Sequence, residues 1–455
     1  MLRKSPNLAT ALLWASALLA PPVAAGPTVV PLGLTVHDAE ATHPGYVIYT
    51  AGQVKRVILL DADGREVHAW VNPLDAGAAI AENPKPLPDG HILVQLRYPE
   101  GPNGEKRKGL AELDWDGNLV WEYFDPDFSF IHHDFHRKPN GNTLILGSEY
   151  ITRPDIAPYE FKDDIIIEVD REGTVIWEWS TADHFDQLGL SEEGRLAIFN
   201  DEYPSLNRAA DIFHTNSIQA LPWNKWQASD PRFAKNNVLV SQRTTNRVFI
   251  IDRETGDIVW RLDEFGTFPD EVELPIGQHH VTLLPVRDQF GNELKGAGRI
   301  LMFDNGGKAG YPRESRFSSR VLEIQPVAGE IKWFYDGATS GLFRRSFFSM
   351  FKSSAERLAN NNTLITESSS GRIFEVTRDG RIVWEYINPY CKTKKDEEEN
   401  VVGAQNHIYR AYKVDLDWPP AGADLTPKTP APTDVAGLGP SACTGSTRNL
   451  VPPQG

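Results

Sequence analysis

"DGRIVWEY", residues 379–386, decides the fold. A glycine sits at a tight turn, where positive φ is needed, and alternating residues lead from it to a tryptophan. The unit occurs five more times: "DGREVHAW" (63–70), "DGNLVWEY" (116–123), "EGTVIWEW" (172–179), "TGDIVWRL" (255–262) and "AGEIKWFY" (328–335). Ahead of each copy lies a β-rich run: "RVILLD", "GLAELD", "DIIIEVD", "RVFIID", "RVLEIQ" and "RIFEVT". Further upstream comes another, from "YVIYT" to "NTLITES". Alternating, β-branched segments of this kind suit paired strands. Three hairpin-linked strands thus recur six times, with a more variable fourth ahead of most. Such units repeated about an axis leave few exposed edges. The fold expected is all-β, a six-bladed β-propeller of four-stranded antiparallel blades. "NHIYRAYKVD", residues 406–415, reads as a strand without a blade of its own. It is expected to complete the first blade and close the ring, and the tryptophans to pack between blades.

The propeller is expected over residues 26–417, between an export signal at 1–25 and a Pro/Gly-rich tail at 418–455. Arg3 and Lys4 precede the short apolar run "ATALLWASALLA", and small residues at Val23 and Ala25 place cleavage after Ala25. That run is short for a membrane span, and no later stretch approaches about 20 apolar residues. The mature chain is expected to be periplasmic or secreted, with no membrane span after cleavage. A net charge of −16 argues against nucleic acid or an anionic membrane as the main partner. It leaves room for an anionic small substrate in a locally cationic pocket. The two cysteines, Cys391 and Cys443, permit one disulfide that would tie the tail to the last structured segment.

In a propeller the innermost strands line the central channel, and residues at their starts gather at one mouth. The third unit opens with "HHDFHRK", the fourth with "DIFHTNSIQAL", the fifth with "GQHHVTLL" and the sixth with "SSAERLAN". A single such histidine reads as a channel residue bonded to a carbonyl. Agreement of three units makes a constellation of His132, His133, His214, His279 and His280. His136 reads as exposed or structural, and His43, His68, His91 and His184 share no register. Arg243, just before a hairpin, can offer a planar fork of donors to an oxyanion. Asn216 lies two residues beyond His214 on the same strand face. No carboxylate clearly joins the set, and a guanidinium disfavours a cation. The group therefore suits a tetrahedral anion better than a three-histidine zinc site. No metal or other cofactor is called for. "FDNGG", 303–307, reads as a turn in preference to a calcium loop.

Taken together, "HHDFHRKPNGNTL", "HTNSI", "SQRTTN", "GQHH", "FDNG" and the G-x-I-V-W-E-Y hairpins resemble the PAPS-independent arylsulfate sulfotransferases. Those are exported bacterial enzymes with a six-bladed propeller and an active site in the channel. The resemblance implies an aryl sulfate donor, a phenolic acceptor, and ping-pong transfer through a sulfohistidine. It implies that His279 is the nucleophile, preceded by Gln278, with His133, His214 and Arg243 as catalytic partners. Asn216, Gln278, His132 and His280 are expected to bind substrate. Strand register decides whether His132 or His133, and His279 or His280, faces the channel. "RRSFFSMF", 344–351, is a candidate for holding the aryl ring. Insertions at 180–213 and 222–236 are expected to reshape the channel mouth. The other reading is an exported propeller without activity that binds a ligand or a protein.

Overall fold

The computed structural model describes residues 32–428 apart from 52, 76–77, 79, 81–82, 99–106, 126–130, 204–209, 263–272 and 396–400. The expected export signal, and Cys443 of the expected disulfide, lie outside the described residues. Cys391 is not a free thiol.

Six sheets of antiparallel strands form the ring. Blade three runs outward from Phe135–Arg137 through Thr143–Ile151 and Phe161–Val169 to Val175–Ser180. Blade four begins at Thr215–Ala220, blade five at His279–Leu283 and blade six at Ser354–Arg357. Blade two begins with the two-residue strand Lys85–Pro86. The innermost strand of blade one is Ala411–Val414, paired antiparallel with Tyr46–Ala51, so the C-terminal segment closes the ring. A second closure was not read from the sequence. Gly33–His37 pairs with Ile382–Ile387 as a fifth, outermost strand of blade six.

All six turn glycines of the repeat, Gly64, Gly117, Gly173, Gly256, Gly329 and Gly380, have φ between +69° and +89°, which a side chain would strain. The tryptophans do pack between blades, and each makes a directed bond. An indole N–H donates to a carbonyl on the next blade: Trp70 to Asp114, Trp121 to Arg171, Trp179 to Gly256, Trp260 to Pro326, Trp333 to Arg378 and Trp384 to Ala62. The last bond joins blade six back to blade one. In the first and third copies the donor is two residues further along, at Trp70 and Trp179. His68 and Trp177 occupy the vacated places. His68 Nε2 lies 2.8 Å from Trp115 O, and Trp177 carries the Arg253 guanidinium 4.5 Å from its ring centre.

Four of the blade seams add a buried carboxylate. Glu112 meets Arg137 and Arg171; Glu168 meets Lys138 and Arg253; Glu323 meets Arg299, Arg357 and Arg378; Glu375 meets Lys413. Several of these cations also lie on the seam tryptophan, as Arg357 does on Trp333 at 5.0 Å. Burial explains why the third strand of most blades reads as nearly continuous apolar sequence around one glutamate. Both its faces are covered by neighbouring blades.

Residues 418–428 continue the chain onto blades one and two. Trp418 is buried, and its N–H donates to Leu87 O at 2.6 Å. The insertion at 180–213 carries the helix Glu192–Phe199, capped by Ser191, and leads into the mouth where the inner strands start. The insertion at 222–236 does not. It joins the far end of Thr215–Ala220 to Val238–Gln242, so it lies at the opposite face. Among the described residues no helix is long and apolar enough to cross a membrane.

Candidate active site

His133, His214 and His280 enter the inner strands of blades three, four and five with φ of 53°, 55° and 50°. Left-handed backbone at a non-glycine residue costs about 1–3 kcal/mol and persists where the surroundings enforce it. It also interrupts the alternation of side chains, which decides the register question. The His133 and His214 rings meet edge to face with centroids 4.6 Å apart. The His133 ring keeps some solvent contact along the channel. Burial first, then the neighbouring rings of His214, His132 and His279, hold it well below the usual imidazole range. His132 stands behind it, with Nδ1 2.6 Å from His133 Nδ1 and Nε2 3.4 Å from Asp164 Oδ1. His280 turns toward the closing strand. Its Nδ1 lies 3.0 Å from Ala355 O, and its ring is 6.0 Å from that of Tyr412.

His279 is 2% exposed, and both its nitrogens are accounted for. Asn305 Nδ2 donates to Ser349 O at 2.8 Å and Lys352 O at 3.1 Å, so its Oδ1 faces His279 Nδ1 at 2.8 Å as an acceptor. Gly277 O, 3.0 Å away, is a second acceptor for the same nitrogen. The proton therefore belongs on Nδ1. Nε2 keeps its lone pair, which accepts from the backbone N–H of Lys352 at 3.1 Å. Burial first, and then the charge of Arg243, hold this ring well below the usual range, so it is neutral at working pH.

Asp211, at the end of the 180–213 insertion, accepts from His214 Nδ1 at 2.7 Å. Burial pushes this carboxyl up, but His214, His132 and Lys162 together bring it down to about 2. A carboxylate thus does join the histidines, contrary to the sequence reading. Asp134 does not act on them in the same way. It receives Lys85 at 2.7 Å, Arg410 at 3.1 Å and the N–H of Ile218 at 3.0 Å, and so ties blades two, one and four to its own below the site. The Arg243 side chain donates through Nη2 to Lys308 O at 3.2 Å, and its charge is felt at His279.

The two expected substrate-binding amides are turned into the seam between blades four and five. Asn216 Nδ2 donates to Gln278 O at 2.8 Å, while Gln278 Nε2 serves Ser241 Oγ, Gln242 O and Arg247 O. Their evident work is to fix the backbone before His279. In "RRSFFSMF", Phe347 is core and Phe351 packs edge-on against His407; Met350 is exposed. Among the described residues no three His, Cys, Asp or Glu side chains are arranged to hold a metal ion.

Sequence reasoning brought together His133, His214, His279 and Arg243. It missed Asn305, Asp211, Lys352 and Arg410. Asn305 stands in the "FDNGG" turn. Arg410 opens the innermost strand of blade one, the place His133 holds in blade three, and asking the same question of the closing strand would have found it.

The arylsulfotransferase (ASST) family model matches residues 85–389, most of the chain and every one of these residues except Arg410. The chain belongs to the arylsulfotransferase family. No protein of curated function matches it. Solved structures similar to this arylsulfotransferase-family chain share only the architecture. A protein of unknown function from Bacteroides caccae has 14% identity over 81% of this chain and 98% of its own, with a TM-score of 0.45. Virginiamycin B lyase from Staphylococcus aureus has 15% identity over 78% and 84%, with a TM-score of 0.37. AztD from Citrobacter koseri has 11% identity over 81% and 98%, with a TM-score of 0.38.

Proposed function

We propose that this arylsulfotransferase-family protein moves a sulfuryl group from an aryl sulfate to a phenol through a sulfohistidine at His279, in an exported, periplasmic or secreted setting. The observation that carries this reading is the His279 ring: neutral, fixed in one tautomer by Asn305, and placed beside Arg243. His279 Nε2 forms the N–S bond as the S–O bond to the aryl oxygen breaks and phenolate leaves. Positive charge gathers on the imidazole, where Asn305 Oδ1 and Gly277 O accept the Nδ1–H. Sulfuryl transfer, like phosphoryl transfer, is served mainly by positioning and by donors to the equatorial oxygens. Arg243 supplies such donors. The Lys352 N–H that holds Nε2 in the free protein faces the arriving sulfuryl oxygens.

His214 is the better choice of proton carrier for the phenolate. Asp211 takes its Nδ1–H and faces the imidazolium that forms, the arrangement that orients a general acid and base. His133, kept neutral by burial and by its neighbours, has no such counter-ion. In the second half-reaction the acceptor phenol gives its proton to His214, its oxygen attacks sulfur, and His279 leaves as the neutral ring.

The test is intact mass at neutral pH after mixing the protein with an aryl sulfate and no acceptor. One sulfuryl adduct, mapped to His279 and discharged by added phenol, is the expected result. Release of phenol without an adduct in His279→Ala would move the nucleophile elsewhere. No adduct and no phenol with several donors would favour the binding propeller.

A further inference from the structure

Arg410 lies outside the matched family region and has no partner equal to its charge apart from Asp134. It is fully buried, and its strand belongs to blade one, yet Nη2 donates to Asn216 O of blade four at 2.7 Å. In a six-bladed ring those blades face each other, so the side chain crosses the axis. Nη1 lies 3.1 Å from Asp134 Oδ1 but out of line for a hydrogen bond. Nε and Nη1 have no hydrogen-bond partner among the described residues, a costly state for buried donors. The Tyr409 ring lies 5.1 Å from the guanidinium. Tyr412 lies against it too and shares a hydrogen bond with it, while its own hydroxyl donates to Asn83 Oδ1 at 2.7 Å. Asp134 is shared with Lys85, so a single carboxylate faces two cations, Arg410 buried and Lys85 half-buried. The charge of Arg410 reaches His133, His279 and His280 alike.

We propose that Arg410 is a second oxyanion-positioning residue, whose unpartnered Nε–H meets the tetrahedral group from below while Arg243 meets it from the rim, with Nη1 staying in its ion pair with Asp134. Its ligand class is a sulfate-like oxyanion, free or esterified. The inference rests on reading the channel as an oxyanion site, as the proposed function does, but not on transfer occurring there. It makes ring closure a condition of activity, because the closing strand delivers one of the anion's donors.

Tungstate, a tetrahedral oxyanion visible by anomalous scattering, is soaked into crystals of the unaltered protein. A peak within hydrogen-bond reach of both Arg410 and His279 is expected. A peak held by Arg243 and Lys308 alone, or none in the channel, overturns the proposal. In solution, sulfate raises the melting temperature, and Arg410→Lys, which keeps the charge and loses the fork, weakens sulfate about tenfold to a hundredfold. Unchanged sulfate affinity in that variant also overturns it. Should Arg410→Lys fail to fold, the soaked crystal decides alone. Tungstate on Arg410 without any adduct at His279 keeps this inference and sinks the transferase reading. An adduct with no anion contact at Arg410 does the reverse.

Discussion

Replacing Arg243 with glutamine separates two effects that act on different readouts. The backbone N–H of Arg243 donates to His214 O at 3.0 Å and is untouched, so the loop stays in place. The side chain gives up its bond to Lys308 O, a stability loss of about 1 kcal/mol. In the reaction it removes a preorganised donor to developing charge, worth about 3 kcal/mol, or a hundredfold or more in rate. The second effect concerns pH. Burial is the larger cause of the low basicity of His279, and Arg243 the next. A cation disfavours imidazolium, so removing it moves the His279 titration upward. The assay is single-turnover phenolate release from a nitrophenyl sulfate between pH 5 and 8. Wild type should stay flat through pH 6.5, the ordinary imidazole value, as far as the nucleophile is concerned. The variant should be slower throughout, and its acid limb should lie at higher pH. A variant within about threefold of wild type at pH 8, a difference below about 1 kcal/mol, with an unshifted acid limb would refute the placement of Arg243 on the reacting group.

Asn305→Leu removes a donor from the Ser349 and Lys352 carbonyls, so the melting temperature should fall by the equivalent of about 1–3 kcal/mol. Gly277 O still holds Nδ1, so adduct formation should slow by roughly tenfold to a hundredfold and not vanish. His280→Asn isolates one histidine, at a left-handed position that asparagine tolerates. His280 is held well below its ordinary value, chiefly by burial and then by Arg410, so below pH 6.5 the unfolded chain binds a proton that the folded one does not. Urea unfolding should show wild type losing about 1.4 kcal/mol per pH unit relative to the variant as pH falls from 6.5; a constant difference would contradict it. Glu323→Gln strips three arginines of their shared carboxylate and should cost about 3–5 kcal/mol while leaving the single-turnover rate of the folded protein unchanged.

The blade pattern was legible because it is local. A turn glycine and a tryptophan at short range repeat six times, and only a repeated seam requires that. The N-terminal strand on blade six was not legible, since "GLTVH" carries no turn and no tryptophan to mark its partner. At the site, the sequence placed His133, His214 and His279 together because each occupies a comparable point of a repeat, and added Arg243 because it stands just before a hairpin and matches the family's arginine. It could not separate His132 from His133, nor His279 from His280, because left-handed residues break the period-two rule at that point. Gln278 was assigned to substrate through the family's Gln-His motif, and Asn216 through the His-x-Asn pair and its place two residues beyond His214. Their bonds run to backbone atoms of the neighbouring blade, and one-dimensional spacing holds no record of that. Asp211 opens "DIFHTNSIQAL" but was not joined to His214 for a related reason: it ends an insertion, outside the repeat.

The same topology explains how an acidic chain concentrates positive charge on its axis. The carboxylates at the blade seams are matched by arginines and lysines from the inner strands and from the hairpins further out, so they add little net field at the centre. Within the channel, Asp134 is shared by Lys85 and Arg410, and Asp211 is directed to His214. Arg243 has a carbonyl as its hydrogen-bond acceptor instead of a carboxylate. An anion entering the mouth therefore meets donors whose charge the protein has not cancelled, and fixed dipoles in a water-poor channel act more strongly than they would at the surface. Each donor comes from the start of a different innermost strand or from the loop beside it. Those outside the Asp134 bridge can change without disturbing the seams that hold the ring, so specificity can vary in this architecture while the scaffold does not.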